Sequence, residues 1–149
     1  MMHSVLLVPL VFCLLLVVSC DLQERSDNRW YTGEQVVEGK KVFAENCASC
    51  HGGRAQGLTK NWQVRLADGS YPAPPLDGSA HAWHHELPLL VEIVQKGGAL
   101  FDGKMPAFAE VLNEQEQLAA IAWFQHLWSD DIYQMWSSER NVIYQNGLK

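Results

Sequence analysis

The stretch Cys47-Ala48-Ser49-Cys50-His51 decides how this chain reads. Two cysteines three positions apart, followed at once by histidine, form the attachment pattern for c-type haem. The chemistry requires that spacing. Each thiol adds across one vinyl group of the porphyrin, and the adjacent His51 is then held beneath the iron as an axial ligand. Two further segments support this reading, an apolar run upstream and Gly103-Lys104-Met105-Pro106 downstream.

The chain has 149 residues and a formal net charge of −6, and no charged residue precedes Asp21. An acidic domain does not suit nucleic acid, which selects a basic face. It suits steering toward a basic patch on a partner protein. Val5 to Val18 is almost continuously apolar, too short for a comfortable membrane span and of the length of a signal-peptide core, although no Lys or Arg precedes it. Val17-Val18-Ser19-Cys20 resembles a bacterial lipobox, with Val17 where Leu is commoner. That resemblance implies cleavage before Cys20 and lipid on its thiol; the alternative is an ordinary signal peptide cut nearby, with Cys20 free. The expected organisation is a signal peptide of lipoprotein type over 1–19, a polar tether over 20–31, and a domain over 32–149 that ends in a helical extension. Cys13 leaves with the signal, Cys20 carries lipid, and Cys47 and Cys50 carry haem. No thiol then remains for a disulfide.

The residue pattern predicts helices separated by Gly/Pro loops. Thr32 and Gln35 have capping-box spacing, and Val36, Gly39, Phe43 and Cys47 recur at helical intervals. Gly52 to Ala80 is a long loop, which a compact domain uses when the loop is functional or wraps something. A second helix is expected over about Glu86 to Lys96, with Pro88 in its first turn and Gly97 to end it. Another loop, Gly98 to Leu112, contains Met105. A long helix is expected from about Glu114 to Trp128, with Asn113 as N-cap and Glu116 at capping-box spacing. A final helix capped by Ser129 or Asp130 should run to about Glu139, with Met135 packed inside it. No sustained period-two alternation signals strands.

With this order of parts, the chain resembles a class I c-type cytochrome from roughly Thr32 to Trp128. The resemblance rests on Gly39 and Phe43, on Cys47 to Gly52, on Pro74-Pro75-Leu76-Asp77-Gly78, on Met105-Pro106-Ala107-Phe108 and on Ile121-Ala122-Trp123-Phe124. It implies an all-α fold of about four to five helices whose long loops wrap one covalent haem c. It implies that the first and last core helices cross, with Gly39 meeting an aromatic, here Trp123. It also implies that the Pro74 carbonyl accepts from the His51 ring, a bond that orients the ligand and raises its basicity. Met105 is the expected distal ligand, since a soft thioether suits haem iron and His/Met ligation raises the reduction potential. The alternative is a methionine filling an apolar gap.

A haem closed by His51 and Met105 passes electrons and has no free position for oxygen or peroxide. The expected function is therefore outer-sphere electron transfer on the periplasmic side of a bacterial membrane, between redox protein partners of respiratory type that dock through small interfaces. One alternative is a subunit through which electrons enter a larger oxidase or dehydrogenase. Another is a metal-binding protein using His81, His84 and His85, since imidazole suits copper and similar ions. A catalytic or gas-sensing haem shares the attachment motif, but Met105 argues against it. A zinc finger is disfavoured because the gap from Cys50 to the His81/His85 pair exceeds the roughly 12–15 residues of a usual finger. A thioredoxin-like pair lacks its βαβ setting. Arg54, Trp62, Arg65 and Tyr71 are candidate donors to the haem propionates.

Overall fold

The computed structural model describes residues 29–140. The expected signal peptide, Cys20 and the tether as far as position 28 lie outside the described residues. Among the described residues five α-helices follow in order, α1 over Gly33–Asn46, α2 over Ala48–His51, α3 over Leu87–Lys96, α4 over Glu114–His126 and α5 over Asp130–Arg140. Short 3-10 turns occupy His81–His84 and Ala99–Phe101. Among the described residues there is no strand, only an isolated parallel bridge between Tyr71 and Gly103. The fold is all-α, as expected.

Local sequence sets the helix starts. Thr32 Oγ1 accepts from the Gln35 amide while the Thr32 amide donates to Gln35 Oε1 at 2.9 Å, and Asn113 and Glu116 repeat the arrangement at α4. Each box satisfies two otherwise unpaired donors. At α3, Pro88 lies in the first turn and Gly97, at φ 80°, ends the helix. α4 is shorter than expected. It stops at His126, because Leu127 and Trp128 turn the chain toward α5 with Trp128 wholly buried.

The core lies where α1 crosses α4. Val36 and Phe43 from α1 meet Ile121, Ala122 and Phe124 from α4, joined by Leu87, Leu90, Trp128, Tyr133 and Trp136. A second cluster continues it, with Val42, Phe108, Leu112 and Ala120. Burying a large apolar side chain stabilises the fold by roughly 1.5–3 kcal/mol. The crossing is close because position 39 has no side chain. A Cβ there would lie 1.8 Å from the Ala119 carbonyl oxygen and 3.1 Å from the Trp123 Cβ. Trp123 is thus a neighbour of Gly39, as expected, but the Ala119 backbone is the tighter constraint.

Two expectations are corrected. Arg29, Trp30 and Tyr31, placed in the tether by their polar surroundings, pack onto the domain. The Arg29 guanidinium donates to the Gln125 carbonyl at 3.0 Å, pairs with Asp130 at 2.7 Å and lies over the Tyr133 ring, while Tyr31 is buried. Met135 is exposed instead of packed, because the register of α5 turns Tyr133 and Trp136 inward and leaves position 135 outside. Gly39→Val should destabilise the holo protein by about 1–3 kcal/mol or more, since rigid backbone rather than a movable side chain receives the added atoms. Denaturant unfolding of the two proteins measures this.

Candidate haem site

α1 delivers the attachment motif directly. Cys47 ends α1 and begins α2, and the His51 amide bonds back to the Cys47 carbonyl at 2.9 Å. One helical turn therefore separates the first thiol from the imidazole. Gly52, at φ 79°, then breaks the helix. The chain folds back, with Gly57 N donating to the His51 carbonyl at 2.7 Å and Ala55 N to Gly52 at 2.9 Å. Ala55 is fully buried at φ 58°, and its carbonyl accepts from both Leu76 N (2.6 Å) and Asp77 N (3.2 Å). The Trp128 indole donates to the Leu76 carbonyl at 2.7 Å.

These bonds fix the segment that carries Pro74. Its carbonyl oxygen lies 2.9 Å from His51 Nδ1, the contact that the resemblance implied. A carbonyl only accepts, so Nδ1 carries the proton and Nε2 keeps its lone pair. Burial lowers the His51 pKa, and the Pro74 bond partly opposes that shift. The ring is therefore a neutral imidazole with one free nitrogen, the form that binds a metal.

Cys47 is half-buried and Cys50 exposed, and neither forms a disulfide. Burial, and secondarily the neighbouring Cys50, pushes the Cys47 thiol up to about 11. It stays protonated at neutral pH, so it is not a reactive thiolate of the redox-enzyme kind. The donor set of two free thiols flanking a turn and one oriented imidazole fits covalent haem. The long loops also carry exposed apolar side chains, Leu58, Val64, Leu66 and Phe101, which suit contact with an apolar macrocycle.

Met105 is half-buried against Val42, Phe108, Leu112 and Ala120. Its carbonyl accepts from Gly98 N at 3.0 Å. The adjacent Gly97 permits this approach, because a Cβ there would lie 2.5 Å from the Met105 oxygen. Successive residues of α1 thus serve both sides, Phe43 lying near the His51 ring and Val42 packing in the cluster that Met105 borders.

The candidate propionate donors separate. The Arg65 guanidinium is engaged with Asp102 at 2.7 Å and stacked on Tyr71, with centroid distance 4.4 Å. Trp62 stacks on His81 at 4.8 Å. Arg54 is exposed. The histidines form the 3-10 turn that leads into α3, where His84 stacks on Trp83 at 3.7 Å and the His85 carbonyl accepts from the Trp136 indole at 2.8 Å. Among the described residues no three His, Cys, Asp or Glu side chains come together in a group that could hold a metal. Sequence reasoning missed Ala55 and Trp128 as the fixtures of Pro74. Only Trp128 left a signal, since a buried indole N–H needs an acceptor.

The fold and this arrangement define a class I c-type cytochrome. The chain belongs to the family described as cytochrome c oxidase, cbb3-type, subunit III, whose sequence model matches residues 34–124. It carries covalently bound haem c. It is similar to the Cbb3-type cytochrome c oxidase subunit CcoP of Azospirillum sp. (strain B510), with 39% identity over 94 residues, covering 62% of this chain and 28% of that protein. CcoP of Rhodobacter capsulatus is 29% identical over 100 residues, covering 62% and 29%. A thiosulfate dehydrogenase of Stutzerimonas stutzeri (strain A1501) is 30% identical over 95 residues, covering 57% and 29%. The chain thus spans less than a third of the length of these relatives. No solved structure gives a significant match.

Trp128→Phe should leave the Leu76 carbonyl without its buried donor, at a cost of about 1–3 kcal/mol. Chemical denaturation of the holo protein tests this.

Proposed function

We propose that this protein is an electron carrier in which one haem c is bound through thioethers to Cys47 and Cys50 and its iron is held between His51 and Met105. The observation that carries the reading is the 2.9 Å contact between His51 Nδ1 and the Pro74 carbonyl. It leaves Nε2 as the only ring nitrogen able to ligate, and it makes that nitrogen a better donor. Haem supplies a one-electron couple. The chain's part is to fix both ligands so that little rearranges when the charge changes. Met105 offers sulfur, a soft donor that favours the reduced iron and raises the potential. With His51 and Met105 both holding the haem iron, the protein would pass electrons rather than bind oxygen, acting as a carrier and not as an enzyme.

A second reading is favoured by the names of the relatives, which are oxidase subunits and a dehydrogenase. On that reading the domain is a subunit through which electrons enter a larger complex. Purification from membranes separates the two readings. A partner retained at fixed stoichiometry supports the subunit, and loss on mild salt supports a shuttle docked by charge, in keeping with the net charge of −6.

Met105→Ala should open the sixth position. Ferric protein should become high-spin or take up water and lose the weak sulfur-to-iron band at the red edge of the visible spectrum. Ferrous protein should gain carbon monoxide binding, and the potential should fall. Spectroscopy and redox titration measure these changes, and rapid carbon monoxide binding by the wild type would refute the closed site.

The proposal includes a location on the periplasmic side of a bacterial membrane, held by lipid on Cys20. It rests on the lipobox-like Val17-Val18-Ser19-Cys20. Among the described residues no helix is long and apolar enough to cross a membrane. Several acyl chains anchor a protein far better than one. Cys20→Ser should therefore release the domain in soluble form with its haem intact. Fractionation and mass spectrometry of the mature protein check this, and an unmodified Cys20 thiol would refute the anchor.

A further inference from the structure

The loop that carries Met105 is fastened to the loop that follows the attachment motif. Tyr71 N donates to the Asp102 carbonyl at 3.1 Å, and Tyr71 and Gly103 form the isolated bridge. From the same side, Arg65 reaches Asp102 Oδ2 at 2.7 Å while stacked on the Tyr71 ring, and it also donates to the Gly69 carbonyl. Lys104 pairs with Asp68, whose Oδ1 accepts from Ser70. Within the Met105 loop, Gly103 N donates to the Gly98 carbonyl at 2.9 Å and Gly98 N donates to the Met105 carbonyl at 3.0 Å. The three residues before Met105 are thus each tied across to the other loop, and Met105 itself is tied to Gly98.

These groups have no place in the core, since Arg65, Asp68, Asp102 and Lys104 are all exposed. Exposed ion pairs add little to global stability, yet two of them converge beside one methionine. Asp102 also adopts a left-handed backbone, at φ 55°. A non-glycine residue keeps that conformation where its surroundings over-determine it, and such positions cluster at functional sites. Here the surroundings are the end of the Ala99–Phe101 turn, where the Asp102 amide donates to the Ala99 carbonyl at 3.3 Å, together with Tyr71 and Arg65.

We infer that Arg65, Asp68, Tyr71 and Asp102 are positioning residues for Met105: together they clasp its loop and limit how often the sulfur leaves the iron. The inference rests on the Met105 ligation proposed above. A loop opens with a free energy of its own, separate from that of the whole domain. The population of the open form then sets how readily an outside ligand reaches the iron. Breaking the clasp enlarges that population without touching either thiol, His51 or Met105.

The test uses the full-length holo protein with Arg65→Ala and Asp68→Asn combined, which removes both ion pairs from the side of the clasp away from the methionine. Ferrous variant should bind carbon monoxide about tenfold faster than wild type, since that rate follows the open fraction. Its ferric sulfur-to-iron band should weaken, while its unfolding midpoint stays close to wild type. Exchanging the charges, with Arg65→Asp and Asp102→Arg together, should recover part of the slow binding that Arg65→Asp alone loses. A wild type with the sulfur band, and a double variant unchanged in band and binding rate, would overturn the clasp while leaving Met105 as ligand. A fall in unfolding midpoint that accounts for the whole loss of the band would also overturn it, since the residues would then be merely structural. A wild type with no sulfur band would overturn the Met105 reading, and the clasp's role with it.

Discussion

The close crossing of α1 and α4 at Gly39 is the constraint from which the site is built. With no side chain at position 39, the α1 backbone can rest against the Ala119 carbonyl. Everything downstream inherits that position. α1 runs straight into Cys47 and His51, so its placement is theirs. α4 runs into Trp128, whose indole holds the Leu76 carbonyl at the other end of the Pro74 segment. The imidazole and the carbonyl that orients it therefore hang from the two crossing helices, and their 2.9 Å contact follows from how those helices pack.

The two sides of the proposed haem site are built differently. On the His51 side the fixtures are buried: Ala55, Trp128 and the ring itself. Buried hydrogen bonds are costly to break, because a lost partner leaves a desolvated polar group. On the Met105 side, Gly97 and Gly98 bring the loop to the end of α3, and exposed ion pairs hold its flank. Such contacts are weaker and open more easily. This asymmetry matches the chemistry proposed for the site. On that proposal the histidine keeps one orientation, which sets its basicity, while the methionine would come from a loop held by weaker contacts.

α5 extends the domain beyond the crossing pair. Trp136 is buried and bonds the His85 carbonyl, and Arg29 ties the start of the domain to Asp130. The histidine-rich turn is thereby an ordered corner between the long loop and α3. Its rings are engaged in stacking, with His81 on Trp62 and His84 on Trp83.

The sequence by itself determined what local rules control. Both capping boxes, the glycine that ends α3 and the attachment turn could be read directly, because each depends on residues a few positions apart. The glycine at the crossing and the Pro74 contact came through the family resemblance. Only the tertiary structure decided the rest. Trp128 meets Leu76 across 52 positions, Arg65 meets Asp102 across 37, and Arg29 meets Asp130 across 101. Nothing in the residue types selects those partners over others of like chemistry, since an indole or a guanidinium N–H donates to any well-placed oxygen. The same reason explains why Arg29 to Tyr31 read as tether and Met135 as core. A polar or apolar side chain shows what it can do, and the packing of distant segments decides which face it presents.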